Sequence, residues 1–438
     1  MLPHVTIPPS FAVLLEYFRP CFTAPSFATF RMLATGLVAA PGRRTVVGML
    51  VGAGRHRDTP HHRAHYFFAK AAWTLDEVGD TLARLVVGLL TGPGPITVVV
   101  DDTLFHRAGR KVFAAGWFHD GAAKGETPVG FGNNWVIVGV VLRGTVFARP
   151  ICLPVYACLV VKGTMSGSRL WLAARAAARL ARLFPDRQVH VVADSAYAGG
   201  ELKSLPRNVT WTTRPRADAA LFAPAPPRTG RRGRPRVKGD RLATITQLAA
   251  TADFRPTTVT RYGRVHTVDV AVTVCLWYSV FGPRLVQLVL VREPGRPLLA
   301  LISTDLFSRP ATIAERYAAR WAVEVAIADA KQLFGVGQTH TRTAQAVRHA
   351  VPFALLAQTL TLTWYLTAGH HDSDVADATA RAPWYTTKTT VSTADALGKL
   401  RRVLITARFR PADPVTPTAA EIHTLHLAWD TTEHGLAA

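Results

Sequence analysis

The sequence predicts an α/β protein in which a mixed sheet, flanked by helices, follows a helical N-terminal region and is interrupted by a β-rich insertion. Short β-branched runs alternate with amphipathic helical segments between residues 96 and 213. Helical patterns dominate before residue 91, and further strand patterns lie between residues 214 and 299. Hydrophobic residues make up 49% of the chain, which excludes an intrinsically disordered protein.

The chain is long and strongly basic. It has 438 residues, with 51 Lys and Arg against 29 Asp and Glu, so its formal net charge is +22. Domains of about 100–200 residues would divide this length into roughly two to four units. The charge favours a polyanionic partner, because Lys and Arg displace counterions from a phosphate backbone. GC-rich coding is an alternative source of arginine, but it does not explain why the basic residues cluster.

Cysteine usage and the N-terminus both point to a cytoplasmic protein. The four cysteines are Cys21, Cys152, Cys158 and Cys275. They are too sparse for a disulfide framework and lack zinc-site spacing, so we expect buried, reduced thiols. The first residues do not follow the charged-then-apolar order of a secretory signal. Residues 350–369 are uncharged and long enough to span a bilayer, but Gln358 and four threonines favour a buried core helix.

The first 90 residues predict helices separated by loops, and we expect this region to contact DNA. The last helical segment places apolar residues on one face, namely Leu75, Val78, Leu82, Leu85 and Val86. Upstream lies His61-His62-Arg63-Ala64-His65, which fits either a metal site or a DNA-facing surface. The sequence around it is poor in carboxylates, which favours the surface.

Residues 91–213 predict the first part of the central sheet. The patterns indicate three strands, a helix, a strand, a short helix and a strand, at residues 96–100, 111–118, 135–142, 169–184, 188–193, 199–204 and 209–213. This is the element order of the ribonuclease H-like fold. Asp101 and Asp102 follow the first strand, and Asp194 follows the fourth.

Beyond residue 213 the pattern changes. Residues 214–241 hold five prolines and nine basic residues against two acidic ones, which is typical of a flexible cationic loop. Strands resume at 257–281, 285–292 and 298–303, so we interpret 214–299 as a β-rich insertion.

Residues 311–334 then predict one long helix within 300–369, the second part of the sheet domain. Residues 370–438 form a C-terminal region, which we interpret as a dimerisation or DNA-contact segment.

The cationic loop contains a short DNA-binding motif. Residues 230–236 read Gly-Arg-Arg-Gly-Arg-Pro-Arg and include the Arg-Gly-Arg-Pro core of an AT-hook. Such a segment fits the narrow minor groove of A·T-rich duplex, where the potential is most negative. The candidate DNA-binding residues are therefore Arg231, Arg232, Arg234 and Arg236. A basic loop that binds DNA without reading its sequence fits the same residues equally well.

Acidic and basic side chains share one face of the predicted long helix. These are Tyr317, Arg320, Glu324 and Lys331, which at about 100° per residue fall within roughly 60° of one another. A solvated ladder of salt bridges is the ordinary alternative. Carboxylates at two strand ends and a third on a packed helix suit two Mg²⁺ ions about 3.5–4 Å apart. Cations beside them suit the phosphates of a nucleic acid.

These motifs resemble those of a known family. Tyr317-x2-Arg320-x3-Glu324-x6-Lys331 resembles the Y-R-E-K signature of bacterial insertion-sequence DDE transposases. Asp101-Asp102-Thr103 is similar to the first acidic motif of that family, and the segment from Val191 to Tyr197 to its second. The resemblance covers about residues 96–368, including a β-rich insertion between the second and third acids.

The resemblance implies a catalytic site and a reaction. Asp102, Asp194 and Glu324 would be the catalytic residues and would bind two Mg²⁺ ions, for which Mn²⁺ can substitute. Strand alternation turns only one residue of the Asp101–Asp102 pair towards the site, and we favour Asp102.

The reaction implied is cleavage of double-stranded DNA at terminal inverted repeats, followed by strand transfer to target DNA within a homodimeric synaptic complex. Tyr317, Arg320 and Lys331 would hold DNA phosphates during it. Two alternatives remain open: a domesticated transposase that only binds DNA, and a ribonuclease H-like nuclease that cuts without joining.

Overall fold

The computed structural model describes residues 7–121, 123, 128–227, 235–408, 419–420, 422–423 and 426. Within them, one ten-stranded mixed sheet is surrounded by helices, which confirms the predicted fold class. The strands are β1 Ile96–His106, β2 Gly116–His119, β3 Val129–Leu142, β4 Ile151–Leu159, β5 Val189–Val192, β6 Val209–Thr213, β7 Arg255–Arg261, β8 Arg264–Leu276, β9 Leu285–Arg292 and β10 Leu299–Ser303. The α-helices are α1 Pro9–Glu16, α2 Ala24–Ala39, α3 Val46–Gly52, α4 His61–Ala69, α5 Leu75–Leu90, α6 Arg169–Leu183, α7 Ile245–Thr251, α8 Tyr278–Phe281, α9 Pro310–Ala318, α10 Trp321–Gln332, α11 Ala344–Trp364, α12 Asp374–Arg381 and α13 Thr393–Arg408.

The N-terminal region is helical, as predicted. Helix α5 begins at a cap in which the Thr74 hydroxyl accepts a hydrogen bond from the Glu77 amide, and Asp76 and Glu77 complement the helix dipole in its first turn. Its predicted apolar face is buried apart from Leu75, which is half-buried. Helices α2 and α3 meet at Gly36, where an added Cβ would lie 1.9 Å from the Met49 carbonyl oxygen. Only glycine allows the two backbones to approach so closely.

The first half of the sheet in chain order consists of five strands in the order β4-β3-β1-β5-β6. Strand β1 pairs antiparallel with β3 and parallel with β5, and β5 pairs parallel with β6. This arrangement supports the predicted ribonuclease H-like order. The prediction of a strand over 111–118 was wrong in extent, since only Gly116–His119 is extended there. Strand β4 was missed because Pro154 interrupts its pattern, and proline is tolerated where a strand pairs on one side only.

The strands of segment 214–299 extend the same sheet. Strand β10 pairs antiparallel with both β6 and β9, and β8 and β7 continue from β9. The segment therefore builds onto the free edge of β6 and shares its core. Helix α7 of this segment begins with a capping box formed by Thr244 and Gln247.

The single long helix predicted over 311–334 is wrong, since the structure has two helices there. Helix α9 ends at Ala318 and α10 begins at Trp321, with Arg320 as its N-cap. The amides of Arg320, Ala322 and Val323 each bond the carbonyl three residues earlier, as in a tightened 3₁₀ turn. Neither glycine nor proline marks this turn, so the sequence pattern continues through it.

A buried ion pair joins α9 to the end of β10. Arg316 Nη1 lies 2.6 Å from Asp305 Oδ2, and Arg316 Nη2 donates to the Ser308 hydroxyl at 2.8 Å. The Arg316 and Asp305 residues are only 8% and 4% exposed. Burial alone would raise the pKa of Asp305, but hydrogen bonds from Ser308 and Arg316 outweigh it and lower that pKa to about 2.

Helix α11 is a core helix, as predicted from Gln358 and the threonines. Gln358 Nε2 donates to the Ala326 carbonyl at 2.9 Å, and the Thr359 hydroxyl donates to the Pro154 carbonyl at 2.7 Å. Among the helices in the described part of the chain, none combines the length and apolar character needed to cross a membrane. The four cysteines are free thiols, and all but the half-buried Cys158 are buried.

Candidate active site

The paired aspartates of β1 face opposite sides of the sheet, because successive side chains on a strand alternate. The Asp102 carboxylate accepts from Asn134 Nδ2 at 2.8 Å and from the Tyr197 hydroxyl at 3.2 Å. Arg169 at the start of α6 brings its Nε to 3.3 Å from Asp102 Oδ2. Asp102 is therefore held on the side of the sheet that α6 covers.

Asp101 lies on the side covered by α10. Arg320 Nη1 donates to Asp101 Oδ2 at 3.0 Å, while Arg320 Nη2 donates to Glu324 Oε1 at 2.6 Å. One guanidinium thus joins a carboxylate of β1 to the carboxylate of α10. The 3₁₀ turn at Arg320 places this guanidinium between them.

Asp194 completes the acidic group from the next strand. It follows β5, which is parallel to β1, so both strands end at the same edge of the sheet. Its Oδ1 accepts the Ala196 amide at 2.9 Å, which fixes the turn after the strand. The negative charge of Asp194 raises the pKa values of both Asp101 and Tyr317, so it lies near both.

Burial is the main cause of the pKa shifts at the sheet edge, and neighbouring charges modify them. Burial raises the pKa of Asp101 to about 6, and Asp194 and Asp102 add to the rise, whereas Arg320 opposes it. Burial of Tyr317 raises the pKa of its phenol, while Arg320 and Arg214 lower it.

The donor set fits divalent metal ions in its chemistry. Carboxylate oxygens are the ligands that Mg²⁺ and Mn²⁺ prefer. Across the residues that the structure describes, no three His, Cys, Asp or Glu side chains already converge as a metal site. Arg320 instead donates to one oxygen of Asp101 and to one oxygen of Glu324.

The remaining predicted residues are placed as follows. Lys331 lies two turns beyond Glu324, with its Nζ 5.4 Å from the centre of the Phe105 ring. Phe105 is on the Asp101 side of β1, so Lys331 lines the same face. Arg231, Arg232 and Arg234 fall outside the described residues. Arg236 is exposed and pairs with Asp240 at 2.8 Å.

Four side chains that contact or lie near the candidate site residues were not predicted from the sequence. Asn134, Arg169 and Tyr197 contact Asp102, and Arg214 lies near Tyr317. Tyr197 belongs to the second acidic segment and was visible there. Asn134 and Arg169 follow no spacing rule, since they come from separate elements that meet only in the folded sheet.

Comparisons with known proteins identify a family for part of the chain. Residues 17–272 match the family described as DDE superfamily endonuclease, a span that includes Asp101, Asp102 and Asp194 and ends before Glu324. No curated protein matches the chain. A solved structure that it resembles is the cryo-EM structure of the piggyBac transposase synaptic complex with hairpin DNA, at 10% identity and a TM-score of 0.41, covering 96% of this chain and 80% of that one. Since the family model spans more than half of the 438 residues, the chain belongs to the DDE superfamily of endonucleases.

Proposed function

We propose that the protein is a DNA transposase of the bacterial insertion-sequence Y-R-E-K group, which cleaves DNA at element ends and joins the freed end to target DNA. The observation that carries this proposal is the contact of Arg320 with both Asp101 and Glu324. It brings the first and third acidic motifs together at the strand edge where Asp194 also lies. Family membership supports the endonuclease part of the proposal.

The proposed roles follow from the chemistry of each side chain. An aspartate of β1 would hold two divalent ions together with Asp194 and Glu324. The ions would be Mg²⁺, for which Mn²⁺ can substitute. When bound, such ions supply Lewis-acid stabilisation of the attacking and leaving oxygens. Tyr317, Arg320 and Lys331 would orient the phosphates, since the phenol and the two cations line the same side of the sheet. Arg236 and the rest of its basic loop would add affinity for the duplex.

The choice between the two β1 aspartates has a direct test. The position of α10 favours Asp101 as the first metal ligand, whereas the sequence favoured Asp102. We expect Asp101→Asn to lower DNA cleavage by at least about 10²-fold more than Asp102→Asn, because only Asp101 faces Glu324. Initial cleavage rates of the two purified variants measure this. A larger loss in Asp102→Asn would restore Asp102 as the ligand.

A strand-transfer assay tests the proposed function itself. The full chain is incubated with Mg²⁺, a labelled duplex carrying the terminal inverted repeat and a supercoiled target plasmid. Products joined to the target support a transposase. Cleaved but unjoined duplex indicates a nuclease without joining activity, and binding without cleavage indicates a DNA-binding regulator. The last two outcomes each contradict the proposal.

The proposed function also predicts how many chains assemble on DNA. Synapsis of two element ends predicts a homodimer bound to two duplexes, since each end needs its own catalytic site. Mass measured by light scattering on the DNA complex is expected to correspond to two chains. One chain per duplex throughout the reaction would contradict the proposed assembly.

A further inference from the structure

A cationic cavity opens beside the candidate active site. It has a volume of about 380 Å³, and α9, α10 and the β7–β8 turn contribute to its wall. We refer to it as the arginine cavity, because its lining includes Arg214, Arg261, Arg296 and Arg320. Tyr317 and Trp321 line it as well, next to Arg320 in the chain.

The arginine cavity carries a net positive charge. Among the described residues that line it, the one carboxylate is Glu293, which pairs with Arg261 at 2.8 Å and lies 3.6 Å from Arg296. Arg214 is exposed at the cavity and close enough to lower the pKa of the Tyr317 phenol. Arginine forks and a phenol together match the oxygens of a phosphodiester, which accept several hydrogen bonds at once.

Arg320 belongs to the arginine cavity and to the acidic edge at the same time. It lines the cavity while its guanidinium holds Asp101 and Glu324. The side chain is 16% exposed, so it reaches solvent on the cavity side. A phosphate in the cavity and the two carboxylates are therefore rival partners for one guanidinium.

We propose that a DNA phosphodiester bound in the arginine cavity draws Arg320 away from Asp101 and Glu324 and so raises the affinity of these carboxylates for divalent metal. This inference rests on the proposed function of the site. Asp101 Oδ2 and Glu324 Oε1 each accept a hydrogen bond from Arg320, so a metal ion at either carboxylate would compete with the guanidinium for negative charge. Because DNA is the proposed substrate, the metal affinity of the two carboxylates would be higher when substrate is bound than when it is absent.

Thermodynamic linkage sets the size and the symmetry of the effect. If DNA raises metal affinity by some factor, metal raises DNA affinity by the same factor. Couplings between two sites are commonly about 5–150-fold. We expect the coupling here to fall in that range, because two charge-assisted hydrogen bonds must break.

The first experiment measures Mn²⁺ affinity without DNA. The full chain is titrated with Mn²⁺, and free Mn²⁺ is read by electron paramagnetic resonance. We expect Arg320→Gln to bind Mn²⁺ at least about fivefold more tightly than the wild type. Lys331→Gln also removes one positive charge, from the last turn of the helix that Arg320 caps. In the wild type, the Lys331 ammonium lies over the Phe105 ring. This variant controls for charge alone, and an equal gain in both variants, or none in Arg320→Gln, overturns the proposal.

The second experiment adds DNA. A short duplex at saturating concentration, with the Mn²⁺ bound by DNA alone subtracted, is expected to tighten Mn²⁺ binding at least about fivefold in the wild type. Arg214→Gln and Arg320→Gln should each lose most of this gain, and Arg216→Gln, in the same segment, should keep it. An equal gain in all four proteins overturns the proposal. If the wild type cleaves DNA but shows no coupling, only the coupling is wrong, whereas absence of cleavage refutes the proposed function.

Discussion

Glu324→Gln is expected to lower metal-dependent DNA cleavage by at least about 10³-fold, which corresponds to about 4 kcal/mol of activation free energy. The substitution removes the negative charge that α10 contributes to the acidic edge. The amide oxygen of glutamine still accepts from Arg320 Nη2, so the contact at the start of α10 is kept. Glu324 is also half-buried, with a side-chain exposure of 32%, so the fold tolerates the amide.

Cleavage and stability must be measured together for this variant. We expect the melting temperature of Glu324→Gln to stay within about 2 °C of the wild type, because partly exposed ion pairs add little to stability. Glu16→Gln is the matched control, since Glu16, the last residue of α1, pairs with Arg19 just beyond that helix, away from the acidic residues. Full cleavage by Glu324→Gln would remove Glu324 from the catalytic site.

Asp305→Ala is expected to destabilise the protein by about 3–5 kcal/mol, because it leaves the buried Arg316 guanidinium without its carboxylate. The pair fixes α9 against the end of β10, so the loss also loosens the approach to Arg320. Urea unfolding followed by tryptophan fluorescence measures the change. Asp253→Ala is the matched control, because Asp253 pairs with Arg255 where both side chains are more than 70% exposed. We expect less than about 1 kcal/mol for that control, and equal losses would contradict the role of burial.

The same aspartate makes stability depend on pH. Its folded pKa, lowered to about 2, lies below its ordinary value of 3.8. The stability that it contributes is therefore present above about pH 4 and is lost as the pH falls towards 2, by about 2 kcal/mol. Urea unfolding of the wild type and Asp305→Asn between pH 2 and 5 tests this sign. The variant should lack this part of the acid-induced loss.

Three compact strands were predicted closely, although β4 was missed and β2 was wrong in extent. The expected segments 188–193, 209–213 and 285–292 lie within two residues of β5, β6 and β9. Each is a compact apolar or β-branched run, and such runs report local structure directly. The turn between α9 and α10 was not predictable, because Ala318 and Ala319 favour a continuous helix. Tertiary contacts flank the turn, since Arg316 pairs with Asp305, just after β10, and Arg320 pairs with Asp101 of β1.

The candidate site was predictable in composition but not in geometry. Strand-end acids and the spacing from Tyr317 to Lys331 suggested a cluster. The structure brings Asp101, Arg320 and Glu324 into contact and turns Asp102 to the other face of β1. Which of Asp101 and Asp102 meets Glu324 depends on which face of β1 receives α10, and that is decided by packing between distant segments. Arg214 could not be recognised either. It comes close to Tyr317 only when the roughly 100 residues between them have folded.

The place of β10 in the sheet also governs the order in which the protein is able to fold. Strand β6 leaves the ribosome well before β10, yet β10 is its neighbour on one side and β9's on the other. Until residue 303 has been synthesised, β6 lacks its native partner on the side away from β5, and no pairing links β7, β8 and β9 to it. Such long-range pairing is slow, and an unpaired edge invites association between chains. A chain truncated before β10 would therefore lose the joint between the two halves of the sheet and aggregate.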